Sequence, residues 1–235
     1  MDFSAFEKRI GVTFSDKQIL KQAFVHRSYI NENKNFKLPH NERLEFLGDA
    51  VLELVVTDHL FRAYPDKHEG ELTSYRAALV NAVTLSQVAN SLGMSDYLLL
   101  SHGEAKDTGR ARSSIMADAF EAITGAIYVD QGYDAAKGFI AMSIFPLIEA
   151  ILKEGSWIDA KSRFQEEAQE KTGITPSYKT TKEAGPDHDK RFTVGVYLDT
   201  VLIVEGDGKS KQEAEQEAAS KALALKGWSK EGEEK

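Results

Sequence analysis

NERLEFLGDAVLELVV, residues 41–56, is a largely apolar sequence with helical spacing, and it carries the acidic pair Glu45 and Asp49. At 3.6 residues per turn, both acids share one stripe with Leu52 and Val56. A carboxylate seldom enters a protein interior without a counter-charge or a metal ion, so this stripe indicates a functional site. Further apolar residues cover much of the remaining circumference and predict a central, largely buried helix: Leu44, Leu47, Val51, Leu54 and Val55.

A second acidic pair, Asp118 and Glu121, lies in the apolar segment SIMADAFEAITG, residues 114–125. Small residues at Ala122 and Gly125 would let another helix approach closely. If the two acidic helices pack together, four carboxylates converge with few cations to neutralise them, which is unfavourable. A divalent cation would resolve this conflict, and Mg²⁺ suits a site of carboxylate oxygens with open positions. The chemistry predicted for such a site is phosphoryl transfer or phosphodiester hydrolysis.

The alternative is that both pairs are ordinary solvated charges. Acid pairs at spacings of three and four are common on exposed helices, and for a single pair this interpretation is favoured by roughly four to one. Two pairs on two apolar helices reverse the odds, but they do not identify a substrate.

The composition is that of a globular protein, with 235 residues of which 42% are hydrophobic. Because it has no cysteine, the chain can form neither a disulfide framework nor a thiolate metal site, and any metal must bind oxygen or imidazole ligands. The amino-terminal residues are polar, and no apolar run approaches the roughly 18 residues of a membrane span. We therefore expect a cytoplasmic protein without a signal peptide, an anchor or a membrane partner.

The formal net charge of -8 argues, by itself, against a nucleic-acid partner, because phosphate binding usually leaves a basic footprint. Acids gathered in a metal site would raise the negative count, however, and an acidic protein can still hold a few lysines where phosphates pass. The distribution of acidic and basic residues along the chain is therefore more informative about the partner than the net charge.

Two domains are indicated by a change in periodicity along the chain. Over residues 4–151 apolar residues recur at spacings of three and four, which predicts helices throughout. From about residue 158 onward a helix is followed by strands, in which apolar and polar residues alternate, and then by an alanine-rich helix at about Lys211–Lys226. We predict an all-α domain, residues 1–153, and a small α-β-β-β-α domain, residues 157–228, joined by a short linker. The last seven residues are charged, and we expect them to be disordered.

The start of the last helix carries a candidate phosphate-binding site. Ser210 and Glu213 have the spacing of a capping box, which places the helix N-terminus there. Lys209 and Lys211 flank that N-terminus, where the helix dipole disfavours cations. A bound anion would reconcile the arrangement, because helix N-termini bind phosphate well. Two exposed lysines that tolerate slight repulsion explain this motif equally well when it is taken alone.

The first helix of the second domain presents a polar face. Polar, mostly uncharged groups of this kind suit ribose hydroxyls and base edges in a shallow minor groove. The loop between the first two strands adds a third candidate contact, at His188. Taken singly, a solvated helix face and an ordinary hairpin loop are the simpler explanations. The residues of this face are Ser162, Gln165, Glu166 and Gln169.

Through these residues the chain resembles the bacterial ribonuclease III family. The first acidic run reproduces the family's signature almost letter for letter, and ADAFEA, residues 117–122, matches its second acidic motif. The C-terminal part is similar to a double-stranded-RNA-binding domain at residues 164–166, 185–188 and 208–211. Together the two matches cover nearly the whole chain in the family's order. The implied fold is multidomain, with an all-α endonuclease domain followed by a small α+β double-stranded-RNA-binding domain.

The resemblance implies a homodimeric endoribonuclease in which each of two active sites cuts one strand of double-stranded RNA. The implied products have 5′-phosphate and 3′-hydroxyl ends with short 3′ overhangs, and the implied cellular role is rRNA and mRNA processing. Mg²⁺ would be the cofactor, with Mn²⁺ as a substitute. Glu42 and Glu69 match auxiliary acidic positions of the family, and His26 lies in a segment expected to shape the fold. The residues implied to ligate the metal and to carry catalysis are Glu45, Asp49, Asp118 and Glu121.

Two other classes of function remain open from the residues. The protein could bind duplex RNA without cutting it, although a pure binder needs no buried acids. An all-helical nucleotide pyrophosphohydrolase also uses paired acids and magnesium, although it has no need of an RNA-binding domain. Two departures from the family pattern, His102 and Thr124, lie outside the acidic set.

Overall fold

The computed structural model describes most of the chain, in four continuous stretches. The chain divides into two compact units, Met1–Trp157 and Ile158–Lys235. The domain boundaries at 1–153 and 157–228 remain a prediction, because the residues that join the units lie outside the described part. The C-terminal tail expected to be disordered also lies outside it. The described stretches are residues 2–106, 109–154, 160–185 and 190–228.

The first unit is helical throughout its described residues, as the periodicity predicts. These residues include no strand, and their one β contact is an isolated parallel bridge between Val25 and Leu99. Short 3-10 turns lie at Met94–Tyr97, Glu104–Lys106 and Phe145–Leu147. The α-helices are α1 Ser4–Ile10, α2 Lys17–Ala23, α3 Arg27–Glu32, α4 Glu42–Ala63, α5 Glu69–Val80, α6 Ala82–Ser91, α7 Arg110–Gln131, α8 Tyr133–Ile144 and α9 Ile148–Glu154.

The core of the first unit is built around α4 and α7, the two acid-bearing helices. From α4, Leu52, Val55 and Val56 are fully buried, and from α7, Phe120 and Ile123 are fully buried. Each such side chain stabilises the fold by roughly 1.5–3 kcal/mol relative to an exposed one. The acids are therefore carried by the most firmly packed helices of the unit.

Two glycines allow α4 and α7 to touch backbone to backbone. A Cβ atom at Gly48 would lie 1.8 Å from the carbonyl oxygen of Glu121, and one at Gly125 would lie 2.1 Å from the carbonyl oxygen of Leu44. Since real Cβ atoms essentially never come within 3.0 Å, neither position accepts a side chain without a shift of the helices. The predicted close approach at Gly125 is confirmed, whereas the sequence pattern does not single out Gly48.

The predicted burial of α4 holds for the face that packs on the core, but not for Leu54, which was expected to belong to it. Phe46, Leu54 and Phe61 are 80%, 58% and 71% exposed, and Asp49 is exposed as well. Apolar periodicity cannot distinguish a core face from an apolar surface, because both leave the same residue types in the sequence. Helix α4 therefore packs on α7 with one face and presents apolar side chains to solvent with another.

Among the described residues one helical stretch, Tyr133–Leu152, is long and apolar enough to cross a membrane by length and composition alone. This corrects the expectation that no apolar run approaches such a length. In the structure a 3-10 turn that contains Pro146 interrupts the stretch, and Phe139, Ile140 and Ile144 are buried in the core. A core helix of a globular protein meets the same length and composition test, so the stretch carries no argument for a membrane span.

The second unit has the predicted α-β-β-β-α order. Its elements are α10 Ala160–Thr172, β1 Ser177–Ala184, β2 Arg191–Leu198, β3 Val201–Gly208 and α11 Lys211–Lys226. The strands form one antiparallel sheet in the order β1-β2-β3. The predicted alternation in β2 is confirmed at Val194, Val196 and Leu198, which are buried. The turn after β2 contains Asp199 with a φ of 54°, a left-handed conformation that aspartate tolerates better than most residues.

Gly48→Ala should destabilise the first unit, because the new Cβ must push α4 and α7 apart. Overpacking of this kind typically costs about 1–3 kcal/mol, and we expect a loss of at least that size in the free energy of unfolding, measured by denaturant titration. Gly138→Ala is the matched control, since a Cβ at this helical glycine would meet nothing within 4 Å. The control should be neutral or stabilising by up to about 1 kcal/mol. Equal effects of both substitutions would contradict the backbone contact.

Candidate active site

Three acidic side chains meet where α4 packs against α7. One carboxylate oxygen from each of Glu45, Asp118 and Glu121 lies within 4.8 Å of the other two. The backbone contact at Gly48 and Gly125 sets this arrangement, because Glu45 lies about one turn from Gly48 and Glu121 about one turn from Gly125. All three side chains are half-buried. This group, Glu45, Asp118 and Glu121, is termed the acidic cluster.

Burial and mutual repulsion raise the pKa of every member of the acidic cluster. Burial raises the pKa of Glu45 from 4.5 to about 7, and the charges of Asp118 and Glu42 add to this effect. Burial also raises the pKa of Glu121 from 4.5 to about 8, and the charges of Asp49 and Asp118 add to it. The pKa of Asp118 is raised as well, mainly by burial. The cluster therefore has a strong tendency to bind protons or another cation.

Among the described residues, no lysine or arginine forms an ion pair with the acidic cluster. The basic group whose charge acts on Asp118 is His26, and burial lowers the pKa of this histidine. Closely spaced carboxylate oxygens without a counter-charge are the ligand set that hard divalent cations bind. The residues present therefore fit a divalent metal ion.

Asp49 lies beside the acidic cluster rather than within its closest group. Its side chain is exposed, and its charge raises the pKa of both Glu45 and Glu121. The structure thus brings three of the four predicted metal ligands within mutual reach and leaves the fourth in electrostatic contact with them. The ligand role of Asp49 stays a prediction.

The two auxiliary acids lie in different surroundings. Glu42, the first residue of α4, has one carboxylate oxygen 3.5 Å from Nη1 of Arg27 and the other 3.7 Å from Nδ1 of His40. Glu69, the first residue of α5, accepts a hydrogen bond of 3.1 Å from the hydroxyl of Thr73 and lines a separate hollow. Within one chain, Glu42 acts electrostatically on the acidic cluster, whereas Glu69 is not among the charged groups that raise its pKa values.

Two residues outside the predicted ligand set fix the segments next to the site. Asn41 is buried, and its Nδ2 donates a hydrogen bond of 3.2 Å to the carbonyl oxygen of Ala23. His26 caps the N-terminus of α3, where its Nδ1 accepts a hydrogen bond of 3.3 Å from the backbone N–H of Ser28. The prediction that His26 shapes the fold is thereby confirmed. From the sequence, Asn41 would be expected to cap the acidic helix that follows it, because asparagine is a favoured N-cap residue. In the structure its side chain makes no such capping bond and binds the distant Ala23.

The two departures from the family pattern are accommodated locally. Thr124 is fully buried, and its hydroxyl donates a hydrogen bond of 3.0 Å to the carbonyl oxygen of Phe120, which satisfies the hydroxyl group. His102 is exposed, and its backbone N–H donates a hydrogen bond of 3.0 Å to the carboxylate of Glu32. Neither residue belongs to the acidic cluster.

The polar face predicted on α10 is exposed to solvent. Ser162, Gln165, Glu166 and Gln169 are all exposed, and the last three line a shallow hollow of about 400 Å³. The side-chain oxygen of Gln169 accepts a hydrogen bond of 3.1 Å from the hydroxyl of Thr175, which limits the orientation of its amide. These residues share one accessible face, as expected, while their predicted role in RNA binding stays a prediction.

The start of α11 is capped by Ser210, as predicted. The Ser210 hydroxyl oxygen accepts a hydrogen bond of 3.1 Å from the N–H of Glu213. The carboxylate of Glu213 accepts a hydrogen bond of 2.9 Å from the backbone N–H of Lys209. In a standard capping box the donor would be the backbone N–H of the N-cap residue, here Ser210. Lys209 and Lys211 are exposed. The remaining predicted RNA contact, His188, lies outside the described residues.

Two family models match the chain. A ribonuclease-III-like domain matches residues 16–148, more than half of the chain, and a double-stranded RNA binding motif matches residues 160–226. The chain belongs to the ribonuclease III family. The resemblance inferred from the acidic motifs is confirmed, and so is the predicted fold class, a helical nuclease domain followed by an α+β RNA-binding domain.

Curated relatives of the family resemble the chain over most of its length. Ribonuclease 3 of Enterococcus faecalis is 46% identical over 220 residues, which cover 92% of this chain and 94% of the relative. Ribonuclease 3 of Borreliella burgdorferi is 45% identical over 220 residues, which cover 94% of this chain and 89% of the relative. The predicted enzyme class, ribonuclease III, is therefore confirmed.

A solved structure of the nuclease domain of ribonuclease III from Campylobacter jejuni resembles the first unit. It has a TM-score of 0.55 and 40% sequence identity, and the match covers 62% of this chain and 99% of that chain. That structure is described for flexibility in a region involved in dimer formation. A second structure of the same nuclease domain has a TM-score of 0.54 and 42% identity, covering 63% of this chain and 95% of that chain.

The stability of the metal-free protein should fall as the pH rises through the raised pKa values of the acidic cluster. These folded-state pKa values, about 7 for Glu45 and about 8 for Glu121, lie above the ordinary value of 4.5. Protonation therefore contributes stability that is fully present below about pH 4.5 and is lost as the pH passes through about 7–8. Mg²⁺ binds the deprotonated carboxylates, so it should raise the Tm more at pH 8 than at pH 6.

Thermal unfolding with and without Mg²⁺ measures this response, and Glu121→Gln provides the informative comparison. Because this variant lacks one charge of the cluster, its metal-free Tm should depend less on pH and its rise with Mg²⁺ should be smaller. Glu149→Gln, which neutralises an exposed acid of α9, should behave like the wild type. A wild-type response to Mg²⁺ of equal size at both pH values would contradict the proposed coupling.

Proposed function

We propose that the chain hydrolyses phosphodiester bonds of double-stranded RNA in its first unit and binds the duplex with its second unit. The observation that carries this proposal is the acidic cluster, three half-buried carboxylates within 4.8 Å of one another and without a lysine or arginine partner among the described residues. A protein that only bound RNA would have no use for this repulsion. Membership of the ribonuclease III family and the RNA-binding motif support the same substrate.

Glu45, Asp118 and Glu121 would hold a divalent cation, with Asp49 beside them as a fourth acid. Mg²⁺ is the proposed ion, since it prefers oxygen ligands and keeps several waters, and Mn²⁺ would substitute for it. Such an ion, when bound, supplies charge stabilisation for the phosphate oxygens and a water of lowered pKa. The role of the protein would be to hold the carboxylates at a fixed spacing through the contact of α4 with α7, so that they rearrange little when the metal ion binds.

The auxiliary acids Glu42 and Glu69 would help the site to engage RNA and solvent around the metal ions. Glu42 is suited to this role within its own chain, because its charge acts on Glu45 and Asp118. Glu69 would act in the dimer, because within its own chain it is not among the charged groups that raise the pKa values of the acidic cluster.

The proposed products are RNA ends with a 5′-phosphate and a 3′-hydroxyl group and with short 3′ overhangs. The support for this end chemistry and for a role in rRNA and mRNA processing is family membership. The same membership supports a cytoplasmic location, where those RNAs are processed in bacteria.

The second unit would bind the duplex through two separate surfaces. The exposed polar face of α10, with Ser162, Gln165, Glu166 and Gln169, would contact ribose hydroxyls in the minor groove. Phosphates would contact the start of α11, where Lys209, Ser210 and Lys211 lie, because the helix N-terminus and two ammonium groups all attract anions. His188, in the loop between β1 and β2, would contact the minor groove as well.

A homodimer is the proposed assembly, with an apolar surface of α4 as part of its interface. Phe46, Leu54 and Phe61 are large, apolar and mostly exposed, which is unusual for a helix that meets only water. Near the end of α4, Leu60, Phe61 and Leu72 line an open hollow of about 760 Å³ that an apolar side chain of a second copy could enter. The description of the related Campylobacter jejuni nuclease domain, which names a region involved in dimer formation, supports this assembly.

Glu121→Gln should abolish cleavage of a long RNA duplex and leave its binding unchanged. Loss of an outer-shell partner of a metal ligand already lowers activity by about 10–100-fold, so loss of a proposed ligand should lower it by at least about 100-fold. Cleavage is measured on gels with Mg²⁺, and binding is measured without it. Glu149→Gln is the matched control and should cut like the wild type. Equal loss of cleavage and binding in Glu121→Gln would contradict the division of labour between the two units.

Phe46→Ser should weaken the homodimer, because it removes a large apolar side chain from the proposed interface. Central aromatic residues of interfaces often contribute about 2 kcal/mol or more, so the dimer Kd should rise by at least about tenfold. Sedimentation velocity over a range of concentrations measures this change. Leu225→Ser is the control, since Leu225 is 66% exposed on the second unit. A dimer of unchanged affinity in Phe46→Ser would exclude this surface as the interface.

A further inference from the structure

Glu183, near the end of β1, forms ion pairs with two lysines of the second unit. One carboxylate oxygen lies 3.0 Å from Nζ of Lys211, the first residue of α11, and the other lies 3.5 Å from Nζ of Lys190. The side chain of Lys211 is 56% exposed, so its ammonium group remains accessible to a phosphate. Glu183 therefore forms an ion pair with Lys211, the lysine that we propose binds an RNA phosphate.

An aromatic ring supports the position of Lys211. Glu183 pairs with Phe192 across β1 and β2, and Phe192 pairs with Gly208 across β2 and β3. The Nζ atom of Lys211 lies 5.5 Å from the centre of the Phe192 ring, within the range of a cation–π contact. The ammonium group of Lys211 is thus held between a carboxylate and a ring face, rather than projecting freely from the helix N-terminus.

The pairing has an electrostatic consequence for any phosphate that approaches α11. The hydrogen bond from Lys211 lowers the pKa of Glu183, so this carboxylate is ionised at neutral pH. An ionised carboxylate competes with phosphate for the same ammonium group and repels the phosphate directly. The capping carboxylate of Glu213 differs, because it accepts a hydrogen bond from a backbone N–H.

We propose that Glu183 limits the affinity of the second unit for duplex RNA by holding the ammonium group of Lys211. Glu183 acts through Lys211 and is a positioning residue, not itself an RNA ligand. The inference rests on the proposed role of Lys211 in phosphate binding. The ion pair between Glu183 and Lys211 would lower the nonspecific affinity of the second unit for RNA, independently of the acids of the nuclease unit.

Four full-length proteins test the proposal: wild type, Glu183→Gln, Lys211→Gln and the double variant. The Kd for a short RNA duplex is measured by fluorescence anisotropy without divalent metal and at several salt concentrations. Glutamine keeps the shape of Glu183 and a hydrogen-bond acceptor while it removes the charge. We expect Glu183→Gln to lower the Kd by about threefold at low salt, the size of effect typical of an exposed charge pair. The slope of log Kd against log salt should steepen by up to roughly 0.9, the increment for one more neutralised phosphate.

In the Lys211→Gln background the same substitution should lower the Kd by much less, because only the direct repulsion between Glu183 and phosphate is left to remove. Glu167→Gln is the matched control, since Glu167 forms a 3.2 Å ion pair with Lys171 on α10 and its loss changes the net charge equally. The control should bind RNA like the wild type. Thermal unfolding of each variant should show a Tm close to that of the wild type, because each substitution removes a partly exposed ion pair and such pairs contribute little to stability.

The outcomes separate this inference from the proposed function. If Lys211→Gln weakens binding but Glu183→Gln fails to tighten it, the inference about Glu183 is overturned and the RNA-binding role of Lys211 stands. If Glu183→Gln tightens binding equally in both backgrounds, or if Glu167→Gln tightens it as much, Glu183 does not act through Lys211 and the inference is overturned. If the wild type fails to bind duplex RNA at all, the proposed function fails and the inference fails with it.

Discussion

The contact between α4 and α7 is the constraint on which the nuclease unit depends. At Gly48 and Gly125 the two helices lie so close that a single Cβ atom would meet a carbonyl oxygen of the opposite helix. This proximity brings acids from two distant parts of the chain together, since the side chains of Glu45 and Glu121 project from turns adjacent to the glycines. The same packing buries the apolar residues of both helices. Stability and site geometry therefore have a common origin, and a change that separates the helices should alter both.

The acidic cluster is an arrangement that the bare protein resists. Burial and repulsion raise the pKa of Glu45, Asp118 and Glu121, so each carboxylate gives up its proton less readily than in water. A bound divalent cation would reverse this balance, because it stabilises the ionised carboxylates that the protein alone destabilises. The partial exposure of the cluster is consistent with such a site, since a metal ion that acts on an external phosphate must be reachable. Asp49, the most exposed of the four acids, adds negative charge at the solvent side.

The negative net charge of -8 does not argue against the proposed RNA binding, because it is a sum over the whole chain and does not describe the local surface at the start of α11. Three acids of the nuclease unit form the acidic cluster, while Lys209 and Lys211 of the second unit lie exposed at the start of α11. Even there, Glu183 pairs with Lys190 and Lys211, so the basic character of the surface is moderated by a nearby carboxylate. Net charge is therefore a poor guide to the partner of this chain, and local pairing is the better one.

Much of this protein could be predicted from local patterns in its sequence. Helical and strand periodicities and the cap at Ser210 depend on near neighbours along the chain, and the structure bears them out. Other features depend on packing between distant segments and could not be predicted in this way. The contact between α4 and α7, whose residues are more than 70 positions apart in the chain, decides which acids meet. The same contact leaves Asp49 outside the acidic cluster. The exposure of Phe46 was likewise decided by tertiary structure, because an apolar residue has the same place in a periodic pattern whether its neighbour is a core helix or solvent.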